Sequence, residues 1–222
     1  MILYLFDIDG TLLHAHGSGR DAFDAVFAAQ HGIASASEGI RYGGKTDPAL
    51  IHELYAKHLD REPTAGEVAA FLDAYLPRLE AQLALQGVEV LAGVVETLAH
   101  LKPHALLGVA TGNVRGGADR KLAAAELVPW FAFGGYGCDS PLRAELVARA
   151  IARGRERSAV TEVVVVGDTV HDIAAARACG ATVCAVATGS DPADRLRDAD
   201  AVFASMAELP AWHAQRFGHA TP

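Results

Sequence analysis

The chain has 222 residues, 51% of them hydrophobic and 21% charged, which is enough for one large core or a core with an insertion and excludes a disordered or fibrous protein. Nineteen Lys and Arg stand against 27 Asp and Glu, a net charge of −8 that argues against nonspecific nucleic-acid binding and against docking on an anionic membrane. The three cysteines, Cys138, Cys179 and Cys184, are odd in number and form no CxxC pair, so they are expected to be small core residues in a reducing compartment, not a disulfide framework or a zinc ribbon.

In chain order, residues 2–6 are an apolar run that meets Asp7 too soon for a signal peptide or a bilayer span, so a cytoplasmic protein is expected. A continuous run of that length suits a parallel strand covered on both faces. From about residue 18 to 87 the period becomes helical, with Ala22, Phe23, Val26 and Phe27 on one stripe, Leu50, Ile51 and Leu54 on a second, and Val68, Phe71, Leu72 and Tyr75 on a third. Gly43-Gly44 and Pro48 punctuate this stretch and Gly87 closes it. Residues 15–87 are therefore expected to form a helical cap, and residues 1–14 with 88–222 a catalytic core. Beyond Gly93 the rhythm alternates: helix 94–101, strand 106–110, a helix around Leu122, a short run at 131–133, helix 142–152, strand 163–166, helix 173–179, strand 182–187, a short strand at 201–203 and a terminal helix. The pattern predicts an α/β fold, a Rossmann-like doubly wound parallel sheet with the helical cap inserted after its first strand.

Three apolar strands end alike, at Phe6-Asp7, Ala110-Thr111 and Gly167-Asp168, and ligands of open α/β sheets bind at such carboxyl ends. Asp7, Thr111 and Asp168 are thus expected to share one crevice. Carboxylates brought together there repel unless a cation holds them ionised, and an oxygen-only ligand set favours Mg2+ over zinc. A carboxylate in that setting also serves as a nucleophile, for which Asp7 is the candidate. Asp9, just beyond the strand, is placed to act as general acid and then general base, provided its pKa is raised by the site. Gly10 permits a sharp turn, Thr11 bonds the loop or a phosphate, and Gly112 with Asn113 opens a helix whose N–H groups form an anion cradle.

Taken together and in order, Asp7-Ile8-Asp9-Gly10-Thr11-Leu12, Ala110-Thr111-Gly112-Asn113 and Val166-Gly167-Asp168-Thr169-Val170-His171-Asp172 resemble the haloacid dehalogenase superfamily of phosphohydrolases, in particular its phosphoglycolate-phosphatase-like branch with a helical C1-type cap. The resemblance covers nearly the whole chain. It implies Asp7 as nucleophile, Asp9 as acid/base, Thr111 as the phosphate-binding hydroxyl, and Mg2+ held by Asp7, the main-chain carbonyl of Asp9, Asp168 and Asp172. The family also places a cation, normally Lys, upstream of the last acidic motif. Here Arg143, in Asp139-Ser140-Pro141-Leu142-Arg143, resembles a branch in which arginine takes that place, while Lys121 sits in what reads as an ordinary helix face. The implied activity is a Mg2+-dependent phosphatase acting on a small phosphomonoester, phosphoglycolate-like or a sugar phosphate, through an aspartyl phosphate. A phosphomutase, a phosphonate hydrolase with Lys45 or Lys57 as Schiff base, and, from another class, a non-catalytic phospho-accepting regulatory module are the alternatives; a C–Cl dehalogenase has no use for the acidic set or for Asp9. The expected partner is a small phosphorylated substrate, with no nucleic acid and no membrane, and the protein a monomer or homodimer.

Other features read more plainly. Gly43-Gly44-Lys45-Thr46-Asp47 is expected to close over substrate, with Lys45 meeting an anionic tail and Asp47 capping the next helix. Asp172 either caps the helix that begins beside it or supports the metal, or both. Gly17-Ser18-Gly19-Arg20-Asp21-Ala22 has dinucleotide-loop spacing but lies too far from the strand to use it, and His14 with His16 lacks a third ligand and reads as solvated linker.

Overall fold

The computed structural model describes residues 1–218. The first strand, β1 (Ile2–Phe6), is buried on both faces. Ile2, Tyr4 and Phe6 enter one apolar cluster and Leu3 and Leu5 another, which is the two-residue period of a strand expressed in a run with no polar position. After it, β2 (Leu13–His14) leads into α1 (Ser18–His31), α2 (Asp47–Leu59) and α3 (Ala65–Gln86), and β3 (Glu89–Val90) returns antiparallel to β2. The three helices lie outside the main sheet, and their buried side chains join the same apolar cluster as Ile2, Tyr4 and Phe6 of β1. Phe23 of α1 packs against Phe71 and Tyr75 of α3, with ring centroids 5.0 and 4.7 Å away. Burying each of those phenylalanines is worth about 1.5–3 kcal/mol.

The rest of the chain runs α4 (Val94–Leu101), β4 (Ala105–Ala110), α5 (Arg115–Ala124), β5 (Gly134–Gly135), α6 (Arg143–Arg155), β6 (Glu162–Gly167), α7 (Val170–Ala178), β7 (Thr182–Val186), β8 (Ala201–Phe203) and α8 (Leu209–Phe217). Six strands form one parallel sheet in the order β5-β4-β1-β6-β7-β8. The chain therefore winds outward from β1 in one direction, then from β6 in the other, and the order reverses between those two strands. That reversal leaves a crevice at their carboxyl ends. On the face of Leu3, Leu5, Val165 and Val183 lie α6 and α7; the opposite face carries α4 and α8, and Tyr4 there shares a 2.8 Å hydrogen bond with the Nδ1 atom of His213.

Some boundaries differ from expectation. The short strand expected at 131–133 lies at Gly134–Gly135 instead, because Phe131 and Phe133 are used in packing while the chain passes so close to β4 that a Cβ on Gly134 would lie 2.7 Å from the Val109 carbonyl oxygen. The helix expected at 173–179 begins at Val170, where Thr169 and Asp172 close a capping box. The β2–β3 ribbon was not expected. Cys138 is exposed instead of a core residue, and among the described residues all three cysteines are free. No helix of the described residues is long and apolar enough to cross a membrane.

Candidate active site

The register Phe6↔Val166 sets Asp7 and Asp168 side by side where β1 and β6 end, and Asp172 faces them from the first turn of α7. One oxygen from each of the three carboxyls lies within 4.8 Å of the others, and all three residues are buried. Two of them are held from behind. Asp168 accepts from the Thr11 hydroxyl at 3.2 Å and from the Ser190 N–H at 2.7 Å, while Asp172 accepts from the Thr169 N–H and hydroxyl at 3.1 and 2.6 Å. Gly10, at φ +79°, lets the loop fold over this cluster, since a Cβ there would stand 2.8 Å from the Gly189 Cα. Thr11 thus orients an acid and does not face the cavity, whereas Asp172 both caps α7 and joins the cluster.

Arg143 is the cation of this group. Its guanidinium lies 3.0 Å from Asp7 and donates to Asp172 from Nε at 2.9 Å and Nη2 at 2.6 Å. One positive charge among three carboxylates leaves two negative charges unmatched, and the protonation chemistry shows it. Burial pushes Asp7 up to about 6 although Arg143 pulls the other way. Burial, and then the neighbouring charges of Asp7 and Asp172, push Asp168 up to about 8. Three buried oxygen donors with an excess of negative charge fit a hard dication such as Mg2+.

Asp9 stands apart from the acidic cluster, with a side chain 43% exposed. Its carboxylate accepts from Lys121 Nζ at 2.8 and 2.7 Å and from Asn113 Nδ2 at 2.7 Å, which leaves its main-chain carbonyl, the atom the family resemblance implies, as what it could offer a metal beside Asp7, Asp168 and Asp172. Burial opposes its charge, but Lys121 and Asn113 outweigh it and hold the carboxyl below the usual range, the reverse of the raised pKa expected for an acid. Asn113 also donates to the Thr111 hydroxyl at 2.8 Å and accepts from Lys121 at 2.7 Å. Lys121 is therefore no ordinary helix-face residue: it is 5% exposed and inside the site. The signal was present in sequence, because Val114, Gly117, Ala118 and Lys121 follow the i, i+3, i+4, i+7 spacing of the buried stripe.

These groups open into a cavity of about 460 Å3. The core supplies its floor, with Asp7, Asp9, Thr111, Gly112, Asn113, Arg143 and Asp168, and the helical insertion supplies Arg20, Phe23, Tyr42, Lys45, Leu50 and Tyr75. His14 and His16, expected to be solvated linker, also line it. Lys45 faces the cavity, but its amine is paired with Glu53. Thr46 caps α2, accepting from the Ala49 N–H at 3.3 Å, and Asp47 crosses to the core, where it accepts from the Val114 N–H at 2.8 Å. The N–H expected to cradle an anion from the substrate is thus met by a carboxylate of the protein. Burial, partly offset by Lys121, pushes Asp47 up to about 6.

No curated protein matches this sequence. Solved structures share the fold. A hydrolase from Pseudomonas syringae superposes with a TM-score of 0.72 at 20% identity, covering 100% of both chains. CbbY from Rhodobacter sphaeroides, solved in complex with phosphate, gives 0.67 at 23% identity over 93% of this chain and 95% of its own. A predicted phosphatase from Clostridium acetobutylicum gives 0.72 at 18% identity over 96% and 98%. A family profile described as haloacid dehalogenase-like hydrolase matches residues 3–180. With that match laid over the strand-end acids of the doubly wound sheet, the chain belongs to the haloacid dehalogenase-like hydrolases.

Proposed function

We propose that the protein is a Mg2+-dependent phosphatase that hydrolyses a small phosphomonoester through an aspartyl phosphate on Asp7. The observation that carries this reading is the division of labour between two carboxylates two residues apart. Asp7 lies among Asp168, Asp172 and Arg143, whereas Asp9 is turned away to Lys121 and Asn113. Two acids in such different surroundings suit two different tasks.

Mg2+ held by Asp7, the Asp9 carbonyl, Asp168 and Asp172 would offset phosphate charge and let the nucleophile approach it. Asp7 attacks phosphorus; the bond from phosphorus to the leaving oxygen breaks, and Asp9 passes its proton to that oxygen. Water then attacks the aspartyl phosphate, giving its proton to Asp9, and the carboxylate of Asp7 is released with inorganic phosphate. An ionised resting Asp9 is ready for the second step, and a phosphate dianion set beside it raises its affinity for the proton used in the first. Arg143 and the Thr111 hydroxyl bind phosphate oxygens, and the helical insertion serves as the cap that excludes water and contacts the organic part of the substrate. Neither lysine weighed for a phosphonate hydrolase stands free, since Lys45 pairs with Glu53 and Lys57 donates to the Glu38 carbonyl.

The test is phosphate release from phosphoglycolate, glycerol 3-phosphate, glucose 6-phosphate and p-nitrophenyl phosphate, with Mg2+ and with EDTA. Release that requires Mg2+ and is lost in Asp7→Asn is expected; a folded Asp7→Asn protein working at the wild-type rate contradicts the reading.

A further inference from the structure

The Asp9 carboxylate is held by Asn113 and Lys121, and Asn113 belongs to the turn 112–114 between β4 and α5. What fixes that turn comes from two sides. From the core, the Gly137 N–H donates to the Asn113 carbonyl at 2.8 Å, and the Asn113 side chain is met by the Thr111 hydroxyl at 2.8 Å and by Lys121 at 2.7 Å. From the insertion come two bonds of equal length, the Asp47 N–H to the Gly112 carbonyl and the Val114 N–H to the Asp47 carboxylate, each 2.8 Å. Val114, the residue before α5, has no side chain to cap that helix, and its own N–H is met by Asp47 from another part of the chain. Asp47 is only 6% exposed, and beyond these two bonds it feels the charges of Lys121 and Asp9.

We propose that Asp47 is a positioning residue for proton transfer: gripping the 112–114 turn from the helical insertion, it sets the backbone position of Asn113 and through it the line along which Asn113 meets the Asp9 carboxylate. Loss of the Asp47 carboxylate removes one of the insertion's two bonds to the turn, leaving the other to the residue's own N–H, the backbone at Asn113 to the Gly137 N–H and its side chain to Thr111 and Lys121. Thr46 adds a third anchor to the same segment, its hydroxyl donating to the Pro141 carbonyl at 3.3 Å. The inference rests on the phosphatase reading above.

Proton donation matters to a poor leaving group and hardly to a good one, which separates positioning of Asp9 from a general loss of structure. Asp47→Ala is compared with wild type on the alkyl phosphates of the panel and on p-nitrophenyl phosphate, whose first step is read as the pre-steady-state burst of p-nitrophenolate. Displacing the acid should lower kcat on the alkyl esters about 10–100-fold with KM little changed, and slow the burst by less than about threefold. Asp47→Glu keeps the charge but sets the carboxylate one methylene off; it should show the same selectivity at smaller amplitude, and it carries the test if the alanine variant does not fold. Equal losses on both classes of ester, or no loss, overturn the inference while leaving the phosphatase reading intact. A wild-type protein that releases phosphate from none of these esters overturns that reading and this inference with it.

Discussion

A carboxylate buried across the joint between insertion and core has a stability cost that can be measured directly. Asp47 is raised from 3.8 to about 6 by burial, with Lys121 and the Val114 N–H only partly offsetting it. About two pK units at 1.36 kcal/mol each is about 3 kcal/mol, an upper bound because local relaxation and water entry reduce it. The folded protein binds this proton more tightly than the unfolded chain. The favourable contribution is therefore complete below the unfolded pKa and is lost as pH rises through about 6. Asparagine keeps a carbonyl oxygen for the Val114 N–H and does not titrate. Measured against wild type in the presence of EDTA, Asp47→Asn should gain relative stability by up to about 3 kcal/mol between acid and neutral pH. In a domain of this size that is a change of roughly 6–12 °C in the Tm difference. Thermal unfolding across that range reads it. Parallel curves for the two proteins, or a variant that loses ground as pH rises, would refute the reasoning. A stabilising substitution at neutral pH agrees with a residue kept for what it positions, since functional sites commonly sit below the stability optimum.

Arg143→Lys keeps the charge but not the planar fork that meets Asp7 and Asp172 together, so the loss of a charged hydrogen bond worth about 1.5–3 kcal/mol should lower kcat/KM about 10–100-fold. Unchanged kinetics would remove the guanidinium from the site's function. Mg2+ at a hundred times its Kd should stabilise the protein by about 2.7 kcal/mol, and Asp168→Asn should abolish most of that shift; an equal shift in the variant places the ion elsewhere. With Asp7 near 6 and Asp168 near 8, Mg2+ uptake at neutral pH should release protons, read by calorimetry in two buffers of different ionisation enthalpy. Identical heats would contradict the protonation states derived for the cluster.

The parts of the fold that were legible in sequence are those whose side chains repeat. Ile2 to Phe6 and the Val163 to Val166 run announce buried parallel strands, and the Phe23, Phe27, Phe71 and Tyr75 stripes announce the helices between β2 and β3. The β2–β3 ribbon has only two residues in each strand, too few to show any period, and β5 consists of two glycines with no side chain to read. In the site, acids at strand ends were readable because the strand fixes where the next residue points. Lys121 and Asp47 were misjudged for a different reason: each acts through a partner remote in sequence, Asp9 for Lys121 and Val114 for Asp47. A lysine in the phase of a buried stripe was nonetheless a visible clue. The expectation of a raised pKa at Asp9 failed on the same point, because the cation that lowers it lies 112 residues away in the chain.

The central claim is that Asp7 carries the phosphoryl group. Asp9→Asn, which retains the nucleophile but not the base for the second step, should accumulate it when mixed with p-nitrophenyl phosphate and Mg2+ and quenched in acid. Mass spectrometry should then find one phosphoryl group on the peptide containing Asp7, and none when Asp7→Asn is added. Release of a full equivalent of p-nitrophenolate with that peptide unmodified would contradict the account.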